Sequence, residues 1–173
     1  DTDQCMTILQ NAVSECDSEW IALSGGLDSS ILAHLRKDQR PQAITIITKD
    51  FLGTDLTFAQ IIAKHTGLSL SLMQVTMEEV LDSINETIKI LDDSNDIEIR
   101  NSIVPHLYLS SLKEKGVDSV ITGDGADEIF AGYNFLLKKS NEELDEELKR
   151  IKKIMHFPSK DIAKSLNMKV ESP

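Results

Sequence analysis

Positive charge is scarce in this chain: 18 Lys and Arg stand against 29 Asp and Glu in 173 residues, a formal net charge of −11. Non-specific nucleic-acid binding works through a broad basic surface, so no nucleic-acid partner is expected. The deficit also means that an anionic ligand must draw on local positive sources, namely backbone N–H groups, a metal ion or a few placed lysines. Cysteine is nearly missing. Cys5 and Cys16 show no C-x-x-C spacing and no Cys/His cluster, which argues against zinc and leaves two reduced packing residues in a cytoplasmic setting. No apolar run reaches the roughly 18 residues of a membrane span, and no signal-peptide pattern is present. Internal repeats and low-complexity tracts are also lacking. What remains, 40% hydrophobic and 27% charged residues, is the composition of an ordinary globular domain long enough for one core.

Hydrophobic periodicity divides the chain into alternating elements. Met6, Leu9, Ala12 and Val13 share one face of a helix over 5–16. Strands are predicted over 20–23, 43–48, 69–75 and 117–122, the second marked by its β-branched run. Helices are predicted over 28–37, 55–65 (Phe58, Ala59, Ile61, Ile62 and Ala63 apolar), 77–91, 103–115 and 127–137, with Gly67 and Gly116 closing two of them. Residues 138–157 form a charged helical segment with a thin stripe of Leu144, Leu148 and Ile151, read as a solvated face. The alternation predicts a single α/β domain over 1–173: an open, mostly parallel twisted sheet with helices on both faces, Rossmann-like. Ligands of such sheets bind beyond the C-terminal ends of the strands.

Two glycine-rich loops lie at such ends. Residues 22–30 read Ala-Leu-Ser-Gly-Gly-Leu-Asp-Ser-Ser, a strand end, a tight turn and a helix start. Glycines let the backbone approach an anion, and a helix N-terminus offers free N–H groups to it. Ser24, Ser29 and Ser30 add hydroxyls, and Asp28 adds a carboxylate suited to a metal. This is not the G-x-x-x-x-G-K-[ST] loop, because no lysine follows Gly26 until Lys37. The expected ligand is a phosphate or pyrophosphate with a divalent cation. The bland alternative is a βα turn capped by Ser and Asp. The second loop, 121–133, reads Ile-Thr-Gly-Asp-Gly-Ala-Asp-Glu-Ile-Phe-Ala-Gly-Tyr and gathers Asp124, Asp127 and Glu128. Acids at a helix start are also ordinary capping chemistry, and a calcium loop would need more oxygen ligands in a longer pattern.

Ser24–Ser30 resembles the pyrophosphate-binding loop of the ATP pyrophosphatase (PP-loop) group, and Gly123–Tyr133 resembles the second signature of the asparagine synthetase family, G-[ED]-G-[AS]-D-E-[LV]-F-G-G-Y. NAD synthetases and GMP synthetases share the first motif without the second. Gly53-Thr54-Asp55-Leu56, Ala63–Gly67, Ile99-Arg100-Asn101-Ser102 and Asn167–Pro173 are similar to further family stretches, so the resemblance covers roughly residues 15–173. The chain departs from the pattern at Ala131 and Glu171, where the family has glycine and arginine. Cys5 is not the nucleophile of the family's glutaminase domain, so glutamine hydrolysis is not expected. Pro173 falls where the family pattern runs on into F-L-D and toward a phosphate-contacting lysine, which makes a shortened relative or a fragment the expectation.

The resemblance implies a ligase with ATP and Mg²⁺ as cofactors. The side-chain carboxylate of aspartate, or of a related carboxylic acid, attacks the α-phosphate, and ammonia then displaces AMP to form an amide. It implies that Leu23, Ser24, Gly25, Gly26, Asp28, Ser29, Ser30, Thr48, Thr122 and Gly123 bind the nucleotide, with Asp28 and Asp127 on the metal. Asp124 matches the acid that takes a proton from ammonia, one methylene shorter than the usual glutamate, and Lys160 lies near a phosphate-binding lysine. Glu128 and Tyr133 hold the loop. A separate glutaminase subunit and a second copy of the chain are the candidate protein partners. A synthetase of the β-lactam type, acting on another carboxylate, and an ATP-binding protein without full catalysis are the alternatives.

Overall fold

In a computed structural model, residues 2–48, 54–92 and 95–173 are described, with the side chains of 54 and 55 left aside. The strands are β1 (Trp20–Ala22), β2 (Gln42–Thr48), β3 (Ser69–Val75), β4 (Ser119–Ile121) and β5 (Lys169–Glu171). They form one sheet in the order β3-β2-β1-β4-β5, with every pairing parallel. The helices are α1 (Thr2–Ser14), α2 (Leu27–Leu35), α3 (Thr54–Thr66), α4 (Met77–Leu91), α5 (Asp96–Glu114), α6 (Ala126–Phe130), α7 (Asn141–Ile154) and α8 (Pro158–Ser165).

Period-two alternation in the strands sends residues to both faces. Ile21, Ala43 and Ile121 pack on the side of α1, α2 and α3, with Val13, Leu32, Ala59 and Ala63. Trp20, Ile44, Ile46 and Val120 pack on the other side, against Tyr108, Leu109 and Leu112 of α5 and Ile162 and Ala163 of α8. The expected two-faced parallel sheet is therefore present. From β1 the chain winds outward through β2 to β3, then crosses to the other side of β1 for β4 and β5. The crevice between the ends of β1 and β4 is thus the switch point of the sheet, where doubly wound folds bind ligands.

Several elements differ from the sequence expectation. Helix α5 begins at Asp96, seven residues before the predicted 103, because the Asn95 side chain caps it by accepting from the Ile97 N–H at 3.0 Å. The helix predicted over 127–137 stops at Phe130, where Ala131 takes a left-handed φ of 59°, and continues only as a 3-10 turn over Asn134–Lys138. Helix α8 and strand β5 were not predicted. The charged segment is α7, started by a reciprocal Ser140–Glu143 capping box, and only Ile151 of its stripe is buried. Cys5 is exposed rather than packed, and Phe58 and Ile61 point to solvent at 54% exposure each. Among the described residues no helix is long and apolar enough to cross a membrane.

Candidate active site

The two glycine loops meet at the switch point. The Leu23 N–H donates to the Ile44 carbonyl and the Thr122 N–H to the Glu171 carbonyl, each at 2.9 Å, which carries both ladders one residue past the strands. The chain then turns through Gly25, at a φ of 82°, into α2. The serine hydroxyls, expected as phosphate donors, hold the turn itself. Those of Ser29 and Ser30 donate to the Gly26 carbonyl at 3.2 and 2.7 Å, and Ser24 Oγ lies 3.0 Å from Ser29 Oγ while accepting from the Gly26 N–H at 3.2 Å. The donors that remain for an anion are the first-turn amides of α2, which have no helical carbonyl to bond and no side-chain cap.

Gly123 is what lets the second loop touch the first. A Cβ there would stand 3.0 Å from Asp28 Cβ and 3.5 Å from the Ser29 nitrogen. Gly132 serves Asp127 in the same way: a Cβ on it would fall 1.9 Å from Asp127 Oδ1, so the carboxylate lies directly over the glycine. Tyr133 donates from its hydroxyl to Glu128 Oε1. The Asp124 carboxylate is held at Oδ2 by two hydroxyls, Thr122 at 3.0 Å and buried Ser159.

Two adjoining cavities surround this contact. The larger, about 630 Å³, is bounded by Leu23, Ser24, Ile44, Thr48, Val104, Tyr108 and Thr122. The smaller, about 360 Å³, is bounded by Asp127, Glu128, His156, Phe157 and Ser159. Asp28, Asn101, Pro105, Gly123 and Asp124 belong to both. Pro105 sits inside α5 and has no N–H to give the Asn101 carbonyl, so that carbonyl lacks its i+4 partner where both residues line the site.

The acids of the smaller cavity repel one another. Burial first, and then the charges of Asp127 and Glu128, push the Asp28 carboxyl above the ordinary aspartate range. No lysine or arginine among the described residues lines either cavity. His156 is the basic group at the rim, with Nε2 2.6 Å from Asp161 Oδ2 and Nδ1 3.2 Å from Glu98 Oε2. The Asp161 contact holds its pKa above the usual imidazole value, against the effect of burial. Among the described residues no group of three or more His, Cys, Asp or Glu side chains forms a self-sufficient metal cage. Asp28 and Asp127 both line the smaller cavity, and two carboxylates are a donor set that would suit an oxygen-loving cation completing its shell with phosphate oxygens and water. It does not fit a resident all-protein site.

Leu23, Ser24, Gly26, Asp28, Ser29, Thr48, Thr122, Gly123, Asp124 and Asp127 all line the cavities. Gly25 and Ser30 shape the loop without lining it. Lys160 is exposed on α8, its ammonium 5.1 Å from the Phe157 ring centroid, and lines neither cavity. Of the Gly53–Leu56 stretch, Gly53 lies outside the described residues and Leu56 lines the larger cavity. Sequence reasoning missed Ser159, His156, Tyr108 and the service of Gly132 to Asp127. The spacing of Asn101, Val104, Pro105 and Tyr108 along one helix face was the available signal for Tyr108. Nothing local marks Ser159 or His156, which reach the site from a distant segment.

Residues 20–171 match the family model for asparagine synthase. The chain is 32% identical over 152 residues to asparagine synthetase B [glutamine-hydrolyzing] of Escherichia coli (strain K12), covering 79% of this chain and 27% of that protein. It is 31% identical over 147 residues to asparagine synthetase [glutamine-hydrolyzing] 2 of Arabidopsis thaliana, covering 79% and 25%. The chain thus spans about a quarter of the length of these curated relatives. An NH3-dependent NAD synthetase from Campylobacter jejuni superposes with a TM-score of 0.48 at 18% identity, covering 92% of this chain and 75% of that one. With the family model matched from β1 to β5, and with both signature loops in contact at one switch point, the chain belongs to the asparagine synthase family.

Proposed function

We propose that this chain carries the synthetase site of an ATP-dependent ligase that makes an amide from aspartate, or a closely related carboxylic acid, and ammonia, releasing AMP and pyrophosphate. The single observation that supports this most is the contact of the two loops through Gly123, which sets Asp28 beside the second acidic motif. The larger cavity, with its apolar walls, takes the nucleoside. The triphosphate lies toward the amides of α2 and the smaller cavity. Asp28 and Asp127 hold Mg²⁺, whose charge when bound screens the phosphates and the leaving pyrophosphate.

The chain's own groups then do the following. The first-turn amides of α2 donate to pyrophosphate oxygens and are preorganised by the serine braces, so they gain strength as charge moves onto the leaving group. The acyl substrate's carboxylate oxygen bonds to the α-phosphorus as the bond to pyrophosphate breaks. Ammonia adds to the resulting acyl carbon, and Asp124 accepts the proton it sheds as AMP departs. Holding Oδ2 with two hydroxyls leaves Asp124 Oδ1 for that transfer. A separate glutaminase subunit and a second copy of the chain are the candidate partners, and the working compartment is the cytoplasm.

The test is pyrophosphate release from Mg-ATP by the full-length gene product, measured with and without aspartate and ammonia. Release that needs both supports the reading. Release with a different carboxylic acid moves the acyl specificity, and nucleotide binding with no release under any acid overturns the catalytic assignment.

A further inference from the structure

Tyr108 has no part in the chemistry above. Its ring is rooted in the core among Ile44, Leu109, Leu112 and Ile162, with 6% of the residue exposed. It nevertheless lines the larger cavity, on the α5 face that carries Asn101, Val104 and Pro105. Its hydroxyl has no hydrogen-bond partner among the described residues, and that oxygen is not fully sealed in protein, on a residue that lines the larger cavity. Buried tyrosines ordinarily find a partner for the hydroxyl, so an unpaired one at a cavity wall is aimed at what fills the cavity. Burial, and secondly the charge of Asp124, raise the phenol far above the usual tyrosine range, so the group remains a proton donor at any working pH.

The occupant follows from the division of the site. The acids and the helix amides lie where the phosphates go. Tyr108 shares the larger cavity with the apolar side chains of Leu23, Ile44 and Val104, and Asp124 is the acid at its edge. Resting on the reading of the paired cavities as an ATP site, we infer that Tyr108 is a nucleoside-binding residue whose hydroxyl donates a hydrogen bond to an acceptor on the base or ribose of the nucleotide.

The Tyr108→Phe variant removes one oxygen and keeps the ring. Calorimetric titration of wild type and variant with AMP, Mg-ATP and Mg-pyrophosphate separates the outcomes. The variant should bind AMP and Mg-ATP roughly 3- to 10-fold more weakly, the worth of one neutral hydrogen bond. Mg-pyrophosphate affinity should not change, and the Tm of the ligand-free protein should stay level, because the hydroxyl makes no hydrogen bond within the protein and the ring that packs in the core is kept. Unchanged AMP affinity overturns the inference, as does a lowered ligand-free Tm with all three ligands equally weakened, which marks a packing role. Wild type that fails to bind Mg-ATP overturns the reading of the site and the inference with it. Wild type that binds, beside a variant that binds equally well, overturns the inference alone.

Discussion

Asp28 is half-buried and Glu171 buried in one small fold, and their surroundings differ in sign. Glu171 is 7% exposed and fully engaged: it accepts from the Ser18 N–H at 2.9 Å, the Asp17 N–H at 3.4 Å and the Lys169 ammonium at 2.6 Å. Burial raises its pKa, but these donors outweigh burial and bring it below the ordinary glutamate value. The same turn is held from the other side by buried Arg36, whose guanidinium donates to the carbonyls of Cys16 at 2.8 Å and Ser18 at 3.0 Å. Asp28 has carboxylates for neighbours and a raised pKa. Opposite signs of shift mean opposite contributions to stability. The Glu171 clamp is structure that completes itself. The acidic cavity is unfinished by the protein alone, as expected of a site whose last component is a ligand.

Substitutions sharpen the contrast, and the largest effect is expected at Asp28 and Asp127, the pair proposed to hold Mg²⁺. Asp28→Asn or Asp127→Asn should lower Mg-ATP-dependent pyrophosphate release by on the order of 100-fold or more, since direct ligands matter at least as much as the groups that orient them. Asp28→Asn should leave the ligand-free Tm level or higher, because a repelled charge is removed. Full activity in both variants would end the assignment of this pair to Mg²⁺.

Gly132→Ala should act at one remove. Its methyl would occupy the space of the Asp127 carboxylate, 1.9 Å from Oδ1. Mg-ATP affinity should weaken roughly 10- to 100-fold, with the fold intact by circular dichroism. An unchanged dissociation constant would mean that Asp127 has another serviceable position.

At the clamp the expected loss is in stability. Glu171→Ala should destabilise the fold by about 1–3 kcal/mol through the orphaned amides, seen as a lower urea midpoint, while Mg-ATP affinity stays put. The pH dependences also separate the two regions. Because the folded pKa of Glu171 is depressed, its contribution is present above the unfolded glutamate value and is lost as pH falls through the folded one; the variant should show a flatter acid limb. The raised pKa of Asp28 works the other way. Its cost is present above the folded pKa and is relieved on acidification, so protons compete with the cation and Mg-ATP affinity should fall as pH drops through that value.

The smallest effect is expected at Ala131, a non-glycine residue at a φ of 59° where the family pattern has glycine. Ala131→Gly should stabilise the fold by about 0.5–1 kcal/mol, the steric relief exceeding the added freedom of the unfolded chain. A loss of stability would show that the methyl group contributes packing.

Legibility followed the range of the interactions involved. Strand β3 and helix α4 have the ends that their periodicity predicts, because local apolar spacing and the Thr76 capping box define them. Helix α8 and strand β5 were missed. Pro158 reads as a break although it occupies the permitted first turn of α8, and the three residues of β5 are held by long-range contacts, the β4 ladder and the Asp17 and Ser18 amides on Glu171. The binding loops were legible because glycine, serine and aspartate each do a nameable job at a strand end. Ser159 on Asp124 was not, since that bond joins residues 35 apart in sequence.

By itself, then, the sequence determined the alternating α/β class, the two loops and the identity of their carboxylates, all of which rest on contacts within a few residues. Tertiary structure alone decided that Gly123 brings the loops into contact, that Gly132 makes room for Asp127, and that the serine hydroxyls brace the turn. It also decided that Tyr108 lines the larger cavity. These are matters of close approach between segments distant in the chain, where a difference of one ångström separates a bond from a clash, and no local pattern of residues encodes that distance.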